Sequence, residues 1–143
     1  MKPNRVPKVR YRPLDHTADI RFRIYGKNQR ELFQNAVWAL TDTLTDAARV
    51  RPVRRKVIRI QAKDPEQLLV HLLKEVLHLF EARRFLVSRL AVRSLEDKML
   101  EAAVWGESLK RHPLKTEIKG VTYHGLKVEK KLGRWTAEVV LDV

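Results

Sequence analysis

The sequence predicts an α+β domain: a two-layer sandwich of two helices packed on a largely antiparallel sheet of six or seven strands. Two segments place apolar residues at helical spacing behind capping patterns. Several others alternate apolar and polar residues between short turns, as half-buried strands do. At 143 residues with 44% hydrophobic content, the chain suits one core, and a single domain over 1–143 is expected.

Residues 1–8, with Pro3 and Pro7, read as a flexible basic arm leading to a strand around Val9 to Leu14. Next, Ile20, Phe22 and Ile24 alternate with Arg21, Arg23 and Tyr25, which predicts a strand with one buried face, ended by Gly26. Asn28 followed by Glu31 forms a capping box. Phe33, Ala36, Val37, Leu40 and Leu44 then share one face of a helix over about 29–45. VRRKVIRIQA is rich in β-branched residues and predicts a strand. Asp64-Pro65-Glu66-Gln67 supplies an N-cap, a proline at the first helical position and a glutamine at N3. Leu69, Leu72, Leu73, Val76, Leu79 and Phe80 make the stripe of a second helix, to about Ala82.

Phe85 to Leu95 and Met99 to Gly106 read as two strands joined around Glu96-Asp97-Lys98. A loop containing Pro113 follows. Two further strands run from about Glu117 to Lys131 and from Arg134 to the end, with Leu132-Gly133 between them and Gly120 and Gly125 as candidate bulges.

Composition narrows the chemistry. There is no cysteine, which excludes disulfides, thiolate zinc sites and cysteine nucleophiles, so any metal must bind through oxygen or imidazole nitrogen. No run approaches the ~18 apolar residues of a membrane span, and MKPNRVPKVRYRP lacks the apolar centre of a secretory signal. A cytoplasmic protein with no membrane partner is expected.

The formal net charge of +13 is uneven. Residues 1–63 hold 16 Lys/Arg against 5 Asp/Glu, and residues 64–143 hold 14 against 12. Two acid-free runs, Lys2 to Arg12 and Arg49 to Lys63, account for much of the excess. Such runs attract polyanions by counterion release, so a basic RNA-binding protein or chaperone acting directly on tRNA is one reading. A solvated basic surface is the other, since no RNP-type aromatic motif or helix-turn-helix pattern accompanies the charge.

Against this background DHTADI, residues 15–20, concentrates two carboxylates and an imidazole. Asp19 falls on the parity opposite Ile20, Phe22 and Ile24. In the last strand Asp142 falls opposite Trp135, Ala137, Val139 and Leu141. If the first and last strands are neighbours, the two acids and the oxygens of Val143 converge into a site for a hard cation. The alternative is that Asp15 and Asp19 are turn-forming side chains paired with arginine.

His71 and His78 lie about 10 Å apart along the second helix, too far to share one metal. His112 and His124 lack partners at ligand spacing, and His16 stands out through its two aspartate neighbours. Ser88, Ser94 and Ser108 have no nucleophile-elbow context, and GxGxxG and P-loop patterns are absent, so the residues do not indicate an enzyme.

Three stretches together resemble the archease family: LDHTADIRFRIYG, LLVHLLKEVLHLFEARRFL and GESLKRHPLKTEIKGVTYHGLKVEKKLGRWTAEVVLDV. The most specific elements are DHTAD, HPLKTEIK with VTYH, and the terminal W-x-A-x-V-x-x-D-V. The resemblance implies an accessory protein of the RtcB-type RNA ligase of tRNA splicing, which joins cyclic-phosphate or 3′-phosphate ends to 5′-hydroxyl ends with GTP. Similar proteins promote ligase guanylylation and repeated turnover and are not themselves the enzyme. It also implies a divalent cation, typically Ca²⁺, held by Asp19 and Asp142 with an oxygen of Val143. Asp15 and His16 are reserve contacts, and Lys119 in EIK is a candidate functional lysine or an ordinary strand-surface one. GESLKRH is shorter than the family's usual loop and lacks its acidic residue, and the charge is high for the family. The N-terminal excess would meet tRNA or an acidic ligase surface.

Overall fold

The computed structural model describes residues 9–14, 19–96 and 98–143. The arm over 1–8, Asp15, His16 and Asp97 lie outside the described residues. Among the described residues, seven strands and two α-helices run in the order β1 (Tyr11–Leu14), β2 (Asp19–Gly26), α1 (Gln29–Leu44), β3 (Arg54–Gln61), α2 (Pro65–Arg83), β4 (Phe85–Glu96), β5 (Met99–Ser108), β6 (Gly120–Lys131) and β7 (Arg134–Asp142).

Local chemistry fixes the helix ends as expected. Asn28 Oδ1 accepts from the Glu31 N–H (2.8 Å), and Glu31 Oε1 accepts from the Lys27 N–H (2.8 Å). Asp64 caps α2 through the Gln67 N–H (2.7 Å), and the Gln67 side chain accepts from the Lys63 N–H (2.7 Å). These bonds satisfy amide donors that a helix start leaves without intrahelical partners.

The α+β sandwich stands, but it contains two sheets rather than one. A four-stranded antiparallel sheet has the order β1-β2-β7-β6, and a three-stranded one the order β3-β5-β4. Helix α1 packs on β2 and β4, and α2 on β6, β4 and β3, so the helices join the sheets. Their burial follows: Leu32, Phe33, Ala36, Val37, Ala39 and Leu40 of α1 are all at most 2% exposed, wrapping most of the helix. A helix apolar on several sides is one enclosed on several sides.

Polar anchors orient α1 in this layer. Asn35, 2% exposed, donates to the Tyr25 carbonyl (2.7 Å), and Thr41 donates to the Val87 carbonyl (2.8 Å) at the β4 irregularity between Val87 and Arg89. Tyr11 donates to Asp42 (2.5 Å), tying β1 to α1. Burial and that carboxylate raise the phenol's pKa above its ordinary value. The register of β6 on β7 shifts between Thr122 and Lys127, a span that includes Gly125. Gly120 lies in regular pairing opposite Asp142 and is no bulge. Strand β6 begins at Gly120 rather than near Glu117, because Ile118 leaves the alternation to bury itself (3% exposed) in the core.

Candidate metal centre

Strands β2 and β7 are the inner pair of the four-stranded sheet. Their register is unbroken from Gly26 opposite Trp135 to Asp19 opposite Asp142. Phe22, Ile24, Ala137, Val139 and Leu141 are buried toward the helices, which turns Arg21, Arg23, Glu138 and the two aspartates to the other face. Asp19 and Asp142 are therefore direct cross-strand neighbours on the outward face. Such positions bring Cβ atoms to about 4.5–5.5 Å, where like charges repel. Farther along the same face Arg23 and Glu138 form the ordinary opposite-charge solution, at 2.9 Å.

On its other side Asp142 faces Gly120, where an added Cβ would meet nothing within 4 Å among the described residues. No described residue fills the space beside the carboxylate. The Lys119 N–H donates to the Asp142 carbonyl (2.7 Å), holding the start of β6 to the end of β7, while the Lys119 side chain is exposed. Val143 packs partly against the core and so fixes the backbone beyond Asp142.

The structure brings together Asp19 and Asp142 and places Lys119 and Val143 beside them. Asp15 and His16 lie outside the described residues. Among the described residues no group of three or more His, Cys, Asp or Glu side chains could hold a metal ion. Two facing carboxylates with nearby backbone oxygens nevertheless fit a hard cation such as Ca²⁺, which takes carboxylate, carbonyl and water oxygens.

A second polar site escaped the sequence reading. Glu107 accepts from the Arg51 N–H (2.9 Å), lies 2.8 Å from His112 Nε2 and 3.5 Å from Arg51 Nε. The Arg51 amide first, then His112 and the Arg51 charge, hold its carboxyl below the ordinary glutamate value. The pair lies in a cleft of about 980 Å³ that Arg49, Lys110, Arg111 and Lys115 also line. Its one sequence signal was the outward parity of Glu107 in β5, with a histidine five residues on. The remaining histidines are consistent with structural roles where described: His71 Nδ1 lies 2.9 Å from the Gln61 carbonyl, and His78 is exposed.

Comparison with known proteins decides the family. The model of the Archease protein family matches residues 11–143. The chain belongs to the archease family. The archease of Methanosarcina mazei is 36% identical over 140 residues, 94% of this chain and 96% of that protein. That of Methanopyrus kandleri is 36% identical over 135 residues, covering 91% and 96%. The solution structure of Methanobacterium thermoautotrophicum protein 1598 superposes with a TM-score of 0.79 at 27% identity, over 94% of this chain and 99% of that one. An archease from Thermotoga maritima, described as a possible chaperone, shares the fold with a TM-score of 0.65 at 22% identity, over 92% and 96% of the two chains. No helix among the described residues is long and apolar enough to cross a membrane.

Proposed function

We propose that this archease is an accessory protein that activates an RtcB-type, GTP-dependent RNA ligase, promoting its guanylylation and repeated turnover through a cation-loaded acidic tip. The observation that carries the reading is the direct pairing of Asp19 with Asp142 at the end of the four-stranded sheet. Repulsion between facing carboxylates costs stability in isolation, and a bound divalent cation offsets it.

Asp19 and Asp142 would hold the ion, Ca²⁺ by their oxygen-donor chemistry, with an oxygen of Val143 beside them and Asp15 and His16 as reserve contacts. When bound, the ion supplies positive charge and coordination positions for oxygens of a partner. The chain's own residues do the positioning. The paired inner strands hold both carboxylates in one register, the Lys119 amide clamps the Asp142 backbone, and the exposed Lys119 ammonium is available to an anionic group on the ligase. No group on this chain is assigned a bond-making step.

The test uses purified ligase from the same organism, GTP and metal, without RNA, following covalent ligase–GMP. Guanylylation should be faster with the wild-type protein, and Asp19→Ala or Asp142→Ala should abolish the gain. Equal rates with and without the wild-type protein would remove the proposal.

A further inference from the structure

The outward face of the three-stranded sheet carries a constellation that the acidic tip does not use. Ile58, Ile60, Leu100, Ala102, Val104 and Leu90 turn inward and are buried. Their alternates form cross-strand rows on the other side: Arg55 with Trp105 and Arg89, Val57 with Ala103 and Ala91, and Arg59 with Glu101. Trp105 is half-buried at the centre of its row. The guanidinium carbons of Arg89 and Arg55 lie 4.5 Å and 5.8 Å from its ring centroid. Val57 beside it is 43% exposed.

Glu107 continues the outward parity of β5 two residues beyond Trp105, so this face runs into the cleft of Arg51, Lys110, Arg111 and Lys115. The acids along the way are already matched: Asp46 with Arg49, Glu101 with Arg59, and Glu107 with Arg51 and His112. Arg55, Arg89, Lys110, Arg111 and Lys115 have no carboxylate partner within ion-pair distance among the described residues, leaving a surplus of positive charge. Lys115 also lines a groove with Ile20 and Arg21, which places the cleft close to the strand that begins at Asp19.

We propose that this face binds single-stranded RNA, with a base stacked on the guanidinium planes of Arg55 and Arg89 that Trp105 backs, and with backbone phosphates on the sheet arginines and the cleft cations. Unpaired cations supply the salt-sensitive, sequence-independent attraction, and the indole-backed guanidiniums supply stacking available only to unpaired bases. A flat sheet cannot enter the deep major groove of A-form RNA, so duplex is disfavoured. An acidic protein would match the charge, and its Trp105-dependent capture in place of RNA is an outcome of the test below. The choice of RNA over DNA rests on the function proposed above; the stacking and phosphate contacts do not.

The test is fluorescence anisotropy with a labelled single-stranded RNA of about 12 nucleotides, within the site sizes such platforms cover. Binding should be measurable at low salt and weaken as salt rises. Trp105→Ala should weaken it roughly tenfold with the salt slope unchanged, and Trp105→Phe should restore most of the loss. The exposed pair Arg55→Ala/Arg89→Ala should weaken it by a similar factor and reduce the slope by about 1.4. Lys127→Ala/Lys131→Ala, which removes equal charge from the other sheet, should change affinity by at most about twofold.

Absence of binding at low salt, wild-type affinity in Trp105→Ala, or equal damage from the Lys127/Lys131 control would overturn the proposal. So would tighter binding of duplex RNA or of single-stranded DNA, or Trp105-dependent capture of polyglutamate in place of RNA. Asp19→Ala should bind RNA normally, and Trp105→Ala should still support RNA-free ligase guanylylation. Failure of either function therefore leaves the other readable.

Discussion

At the end of the four-stranded sheet, two aspartates face each other on adjacent strands. On the three-stranded sheet, two arginines also occupy one cross-strand row, but Trp105 stands between them. The indole separates the guanidiniums by two strand spacings, close to 10 Å, and offers each a π-face. That row is tolerable as it stands. The aspartates are one spacing apart with no aromatic side chain between their strands, which is why their row is the proposed cation site. Like charges on a sheet thus need either distance and an aromatic neighbour, or a counterion.

The largest expected effect follows from that difference. With Ca²⁺ at a hundredfold excess over its dissociation constant, the wild-type protein should gain roughly 2.7 kcal/mol of unfolding stability. Asp142→Ala should lose all of it, as read by thermal denaturation with and without chelator. An unchanged calcium shift in that variant would place the ion elsewhere.

Glu107→Gln tests the basic side. Weakening the bonds to the Arg51 amide and His112 should cost about 1 to 2 kcal/mol at neutral pH. Because Glu107 titrates below its ordinary value when folded, its contribution is complete above the unfolded value of about 4.3 and is lost as pH falls through the lower folded value. The gap between wild type and variant should therefore close in acid. A gap of constant size down to pH 2 would contradict the assignment.

A change remote from both faces provides a reference. Leu132 is fully exposed in the β6–β7 turn with φ +52°, a left-handed conformation that asparagine adopts more readily. Leu132→Asn should add roughly 1 kcal/mol without altering calcium or RNA binding. The smallest effect has the most diagnostic sign: in chelator, Asp19→Asn should raise stability by about 0.5 kcal/mol, because it removes the repulsion while removing the ligand. Destabilisation instead would show that the facing carboxylates are not in conflict.

The helices were legible because their signals are local: Asn28 and Glu31, or Asp64 and Gln67, specify a helix start within four residues. Strand parity likewise placed Asp19 and Asp142 on the outward face. The convergence of those acids needed only one further condition, that β2 and β7 be neighbours, and the structure meets it. Division into two sheets was not legible, since alternation shows which face of a strand is buried but not which strand lies beside it. The Arg51, Glu107 and His112 cluster was hidden for a related reason: Arg51 comes from the connector before β3, and no spacing rule links it to the end of β5. The Trp105 row was equally silent, because it depends on the β4 irregularity that brings Arg89 opposite the indole.

The β2–β7 pairing also sets the order in which this molecule can become complete. During synthesis β1, β2 and α1 emerge early, yet β2 has only one of its two sheet neighbours until β7 has been made. The intervening chain, including the whole three-stranded sheet, can fold meanwhile through more local contacts. The last strand to arrive then takes the central vacancy and brings the second aspartate to the first. On the function proposed above, cation binding would thus report that the fold has closed, and nascent or truncated chains lacking β7 would not show it however well their other sheet is formed.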